Sequence, residues 1–124
     1  VSEILDIEKL KEKIAHFAQE RDWQQFHNPK NLAMALTVES SELMEIFQWL
    51  NLEEAAKICD DPNKKIEIED ELSDILVYVV RLAGVLNVNL PNAIEKKMKK
   101  NALKYPAELV KGSAKKYSEY KNRK

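Results

Sequence analysis

Four carboxylates stand where a helical chain should carry apolar side chains: Glu39 and Glu42 in one segment, Glu71 and Asp74 in another. Residues three apart on a helix are neighbours, roughly 5–6 Å between Cβ atoms, so each pair can grip one object. The row Leu32, Leu36, Glu39, Leu43, Ile46, Leu50 is apolar except at Glu39, and the adjacent row Ala35, Val38, Glu42, Ile46, Trp49 is apolar except at Glu42. Glu71 lies between Ile68 and Ile75, and Asp74 directly precedes the run Ile75-Leu76-Val77-Tyr78-Val79-Val80. Like charges buried in such faces repel and lose hydration, so they must be protonated, paired or metal-bound. An all-oxygen set without a nearby His or Cys selects a hard cation, Mg²⁺ or Mn²⁺, over zinc. An ion of that kind neutralises and orients phosphate and acidifies a bound water, which suits phosphoanhydride chemistry. A di-iron bundle requires Glu-x-x-His pairs. The residues three after Glu39 and Glu71 are Glu42 and Asp74, which excludes it. For Glu67, Glu69 and Asp70 a solvated charged face is the better reading.

These acids must be carried by helices. Asp6 reads as the N-cap of a helix running to about Arg21, with Ile7, Leu10, Ile14 and Phe17 as its core stripe. An aromatic connection, Asp22-Trp23-Gln24-Gln25-Phe26-His27, leads to Asn28-Pro29, an N-cap and first-turn proline that open a second helix to about Leu50. Asn51 caps a short helix through Ile58, and Asp60-Asp61-Pro62-Asn63 is a turn. A third long helix spans about 64–86; its second half is apolar nearly all round, which predicts a central position covered on most sides. Asn89 and Pro91 start a fourth helix that ends before Pro106, and Gly112-Ser113 interrupts the chain beyond that proline. Short connections imply antiparallel neighbours. The expected fold is all-α and four-helix-bundle-like, a single domain over 1–124 with a Lys/Tyr-rich tail from about 107. Within it the second and third helices face each other and the two acid pairs meet.

Only two glycines and four prolines among 124 residues agree with long helices. A near balance of 20 Lys plus Arg against 21 Asp plus Glu gives no global reason to expect nucleic-acid binding, although basic residues gather over 96–124. The single Cys59 cannot form an internal disulfide, so a reducing cytoplasm is the expected compartment. The most apolar stretch, 75–88, is interrupted by Arg81 and too short to span a bilayer, and the first residues lack a signal pattern.

The spacing Glu39-x-x-Glu42 and Glu71-x-x-Asp74 resembles the signature of the MazG-like all-α nucleoside triphosphate pyrophosphohydrolases. The segments 20–27, Glu39-Ser40-Ser41-Glu42-Leu43, Phe47-Gln48-Trp49 and Glu71-Leu72-Ser73-Asp74 are similar to the dCTP pyrophosphatase branch. So are Val88-Asn89-Leu90-Pro91, Lys97-Met98, Asn101, Lys104-Tyr105-Pro106 and Gly112-Ser113, so that the resemblance covers nearly the whole chain. Two positions depart from it. Ser40-Ser41 replaces a small pair, commonly Val-Gly, and lies between the acids without touching the ligand set. Ile14 stands where some dCTP-selective relatives carry a histidine, which bears on a base-edge contact and on the degree of cytosine preference.

The resemblance implies that Glu39, Glu42, Glu71 and Asp74 hold Mg²⁺ against a triphosphate and form the catalytic centre. It implies hydrolysis between the α and β phosphates, giving a nucleoside monophosphate and pyrophosphate, in a nucleotide-pool house-cleaning role. Lys97, Asn101, Lys104 and Tyr105 are then candidates for phosphate and sugar contacts, and Tyr78, one turn beyond Asp74, for the sugar or for core packing. Trp23 and Trp49 lead the aromatic candidates for stacking the base, with Phe26 and Phe47 behind them. Stacking on an aromatic is worth about 1–3 kcal/mol per base but discriminates poorly between bases. His27 either bonds the base or phosphate or fixes the loop before Asn28; Cys59 and His16 read as structural or exposed. The family assembles as dimers or dimers of dimers, and a helix apolar all round gains from burial against a copy, so a homo-oligomer, a tetramer, is expected. Three alternatives stay open at this level: preference for another base such as uracil or a purine, a non-catalytic helical module binding a cation or a basic partner, and, weakly, nucleic-acid binding.

Overall fold

The structure, a computed structural model, describes residues 3–113, and every regular element among them is helical. The order is α1 (Ile7–Glu20), α2 (Pro29–Phe47), α3 (Leu52–Ala56), a 3₁₀ turn (Ile58–Asp60), α4 (Pro62–Val85), α5 (Leu90–Lys104) and α6 (Ala107–Val110). Contacts divide the chain into two compact units, Val1–Val88 and Asn89–Lys124. The Lys/Tyr-rich tail is described only as far as Ser113, and the rest of it lies outside the described residues, as do Val1 and Ser2. Among the described residues no helix is long and apolar enough to cross a membrane.

Local chemistry sets the helix starts. The side chains of Asp6, Asn28, Asn51, Asp61 and Asn89 each accept from a backbone N–H of the first turn, satisfying donors that have no intrahelical partner. Proline occupies the first turn of α2, α4 and α5, where its missing N–H costs nothing. α3 carries a capping box, with Glu54 accepting from the Asn51 N–H at 2.9 Å. α1 and α4 stop in the same way. Asp22 (φ 54°) and Asn87 (φ 59°) take the left-handed conformation, Trp23 N–H donates to Ala18 O at 2.9 Å and Val88 N–H to Ala83 O at 2.8 Å. Both are Schellman closures made without glycine, by residue types that tolerate the left-handed region.

In the first unit α4 packs against both α2 and α1. His27, just before α2, meets Arg81 near the end of α4 (3.1 Å), whereas Ile46 near the end of α2 shares a cleft with Lys64 at the start of α4. The two helices therefore run antiparallel. α1 opposes α4 likewise: a Cβ on Gly84 would lie 3.2 Å from Lys11 Cγ, while Phe17 lines a cavity with Asp74 and Val77.

The core is Ala18, Leu32, Ile68, Val80 and Ala83. The row led by Leu32 is inward as expected, but the second row is not: Val38 and Trp49 are exposed and Glu42 with them. α4 is also less covered than its composition predicts, with Leu72 and Leu76 exposed, and Phe17 is half-exposed rather than core. The reason is geometric. α2 and α1 cover two flanks of α4 within the first unit, and an apolar-all-round helix needs more neighbours than that.

Leu32, 1% exposed, is the largest fully buried side chain on α2. Leu32→Ala is expected to cost about 2–5 kcal/mol of stability, read from urea denaturation as a lower midpoint with an unchanged slope.

Candidate metal and nucleotide site

The antiparallel packing of α2 and α4 brings Glu39, Glu42 and Glu71 together. One carboxylate oxygen from each lies within 4.8 Å of the others. Glu39 and Glu71 are half-buried and Glu42 is exposed. Asp74 stands outside this group of three, one turn on from Glu71, and lines the adjacent cavity together with Glu39. The hydroxyls between the acids do not intrude: Ser40 donates to Leu36 O, Ser41 to Thr37 O and Ser73 to Glu69 O, each folding back on its own helix.

The ion pairs within the first unit leave these acids aside: they involve Glu8, Glu20, Glu53 and Glu67. Glu39 Oε2 and Glu71 Oε2 are buried and have no hydrogen-bond partner. Two facing carboxylates can bond only if one is protonated, and that is how the cluster shifts. Close approach to the Glu39 carboxyl, then burial and the Glu39 charge, raises the Glu71 carboxyl above its ordinary value; the charge of Glu71 chiefly raises Glu42. Buried orphan oxygens of hard-donor type within reach of one point form the donor set a divalent cation requires, so the residues fit such an ion.

A cavity of about 220 Å³ opens beside the acids. It is lined by the apolar and aromatic side chains of Ile14, Phe17, Trp23 and Val77 and by the polar ones of Glu39, Asp74, His27, Tyr78 and Arg81. Phe17 and Trp23 meet edge to face, centroids 5.8 Å apart, and Arg21 lies 3.6 Å over the outer Phe17 ring. Trp23 and His27 are 6.2 Å apart. Burial first, then the charges of Glu39 and Asp74, raises the Tyr78 phenol, which stays a neutral hydroxyl. Burial first, then the Arg81 charge, lowers His27, and Arg81 Nε–H donates to His27 Nδ1, which leaves the imidazole proton on Nε2.

Of the sequence candidates, the structure thus gathers Glu39, Asp74, Trp23, His27 and Tyr78 around one cavity, next to Glu42 and Glu71. Trp49 is not among them: it is 87% exposed and borders a separate cleft with Ile46, Leu50 and Ile58. Lys97 and Asn101 lie on α5, Lys104 is its last residue and Tyr105 its C-cap, all in the second unit. Arg81 was not singled out by sequence reasoning. Its signal was present all the same, a cation seven residues after Asp74 and ten after Glu71, on the helical face that carries them.

An all-α chain in which two helices bring three carboxylates together beside an aromatic cavity has the features of a polyphosphate-handling class. The chain belongs to the MazG-like family, whose model matches residues 34–120. It is 45% identical over 113 residues to bovine (Bos taurus) dCTP pyrophosphatase 1, covering 91% of this chain and 67% of that protein. It is 43% identical to the human (Homo sapiens) protein of the same name over 91% of this chain and 66% of that one. The chain therefore spans about two thirds of the length of these relatives. Its fold matches the crystal structure of a pyrophosphatase from Archaeoglobus fulgidus with a TM-score of 0.73 and 34% identity, over 86% of this chain and 98% of that one.

The clustered charge has a stability signature. A carboxyl whose folded value is raised takes up protons in the native state before the unfolded one does, so its repulsion weakens as pH falls through that raised value towards the ordinary 4.5 and returns as pH rises. His27 runs the other way, since its lowered value means that protonation below 6.5 favours the unfolded chain. The carboxylate contribution is thus read as a difference. Without divalent cation at neutral pH, Glu71→Gln should melt at a higher temperature than wild type, with the gap narrowing on acidification above 4.5. Scanning calorimetry with chelator checks both.

Proposed function

We propose that this chain is a nucleoside triphosphate pyrophosphohydrolase that acts on dCTP or a related deoxynucleotide, releasing nucleoside monophosphate and pyrophosphate in nucleotide-pool house-cleaning. The observation that carries the proposal is the convergence of Glu39, Glu42 and Glu71 oxygens within 4.8 Å beside an aromatic cavity, with one oxygen of Glu39 and one of Glu71 buried and unpartnered. Kinship with enzymes named dCTP pyrophosphatase and with a pyrophosphatase structure supports the reaction class.

Glu39, Glu42 and Glu71 would hold Mg²⁺ (or Mn²⁺), with Asp74 beside them. When bound, such an ion neutralises and orients the triphosphate and lowers the pKa of a coordinated water. The rest falls to the side chains. Trp23 and Phe17 offer a face for the base. The neutral Tyr78 hydroxyl, one turn from Asp74, donates towards the sugar. His27 contributes an Nε2–H donor at the nucleoside end. Lys97, Asn101, Lys104 and Tyr105 are assigned to phosphate and sugar from the family pattern alone.

The chain acts as a homo-oligomer, a tetramer, in this proposal. Met34 and Val38 on α2 and Leu72 and Leu76 on α4 form i, i+4 apolar rows left exposed in one chain. The exposed Trp49 then serves a neighbouring subunit's site rather than its own.

Incubation with each dNTP and Mg²⁺ should yield monophosphate and pyrophosphate from dCTP; orthophosphate with a diphosphate product would mean a different bond is cut. Glu39→Gln should lower kcat/KM by at least about tenfold to hundredfold while circular dichroism stays native, and chelation should abolish turnover. A non-catalytic cation-binding module predicts no turnover at all. Sedimentation at micromolar concentration should show an oligomer, and monomer alone would remove the assembly from the proposal.

A further inference from the structure

Among the described residues Arg81 is the one cation in the wall of the cavity. It is half-buried, and its single polar contact among the described residues is the 3.1 Å bond from Nε to His27 Nδ1. A guanidinium carries five N–H donors, so four remain on its two terminal nitrogens, an end-on fork. Glu39 and Asp74 line the same cavity but do not pair with it. Helix geometry explains this. Asp74 and Arg81 are seven residues apart, about 10 Å along the axis, and Glu71 is about 15 Å away at 1.5 Å per residue. Arg81 therefore stands about two helical turns along α4 from Asp74, and it shares the cavity wall with Trp23 and Phe17. His27, itself against Trp23, fixes the guanidinium through Nε.

Resting on the reading of this cavity as a nucleotide site, we propose that Arg81, braced by His27, is a specificity residue whose fork reads the edge of the base and selects bases with two adjacent hydrogen-bond acceptors. Cytosine offers O2 and N3, and guanine offers O6 and N7. Uracil and thymine carry N–H at N3, which meets a donor with a donor, and adenine sets an amino group beside N7 or N1. Arg bidentate to paired acceptors is worth about 1–3 kcal/mol of discrimination. Stacking on Trp23 then supplies affinity and Arg81 supplies choice.

The test compares wild type, Arg81→Ala and Arg81→Lys in kcat/KM for dCTP, dGTP, dUTP and dATP, with calorimetric binding of dCMP, dGMP and dUMP as a readout independent of turnover. Wild type is expected to favour dCTP, dGTP or both over dUTP and dATP. In Arg81→Ala the value for the favoured nucleotide should fall about tenfold to hundredfold more than that for dUTP, and Arg81→Lys, which keeps the charge but not the fork, should lose most of the same discrimination. The dCMP and dGMP arms tell which acceptor pair is read. Equal losses on all nucleotides, or unchanged ratios in both variants, would overturn the assignment. If wild type hydrolyses nothing but binds dCMP or dGMP over dUMP in an Arg81-dependent way, the hydrolase reading fails while base recognition stands. Thermal melts of both variants exclude a folding defect.

Discussion

Mutual repulsion among carboxylates, held in place by the packing of two helices, is the constraint on which the first unit depends. α2 and α4 each carry acids on a face that also has to bury Leu32, Ile68 and Val80. The apolar contacts above and below fix the distance between the helices, so the acids cannot relax apart without opening the core. Repulsion that would splay a surface helix is here held in check by the core, and desolvated oxygens without partners are the ones that gain most from a cation. The hydroxyls between them, turned back on their own helices, leave the space clear.

The same face of α4 carries an inversion of polarity. Glu71 and Asp74 are succeeded by the neutral phenol of Tyr78 and then by the guanidinium of Arg81. A nucleotide has the complementary arrangement: anionic at the phosphates, where the acids require an intervening cation, and rich in acceptors at the base, where N–H donors suffice. One straight helix thus presents a graded surface over roughly 15 Å, and its antiparallel neighbours α1 and α2 only need to wall it.

Much of this was legible from sequence because its causes are local. Asp6, Asn28, Asn51 and Asn89 announce helix starts through side chains that bond the next few N–H groups, and Pro29 and Pro91 reinforce two of them. The meeting of Glu39 and Glu42 with Glu71 could be read from short connections and helical spacing. What depends on the angle of approach was not legible. Two adjacent rows of α2 looked equally apolar, yet α4 covers the Leu32 row and leaves Val38, Glu42 and Trp49 outward. Trp23 and Trp49 had equal chemical credentials and end in different clefts. Arg81 read as an interruption of an apolar run, because its relation to His27, 54 positions earlier, exists only once the helices pack.

The closure of α1 bears on how the cavity wall is held. Trp23 contributes its backbone N–H to the end of that helix through Ala18, with Asp22 held in the left-handed region beside it. The backbone that carries the indole is thus part of the helix end rather than of a loose loop. At the other end of the same helix Lys11 lies over Gly84, where even a Cβ would stand 3.2 Å from its Cγ, so α1 is held closely against α4 there as well.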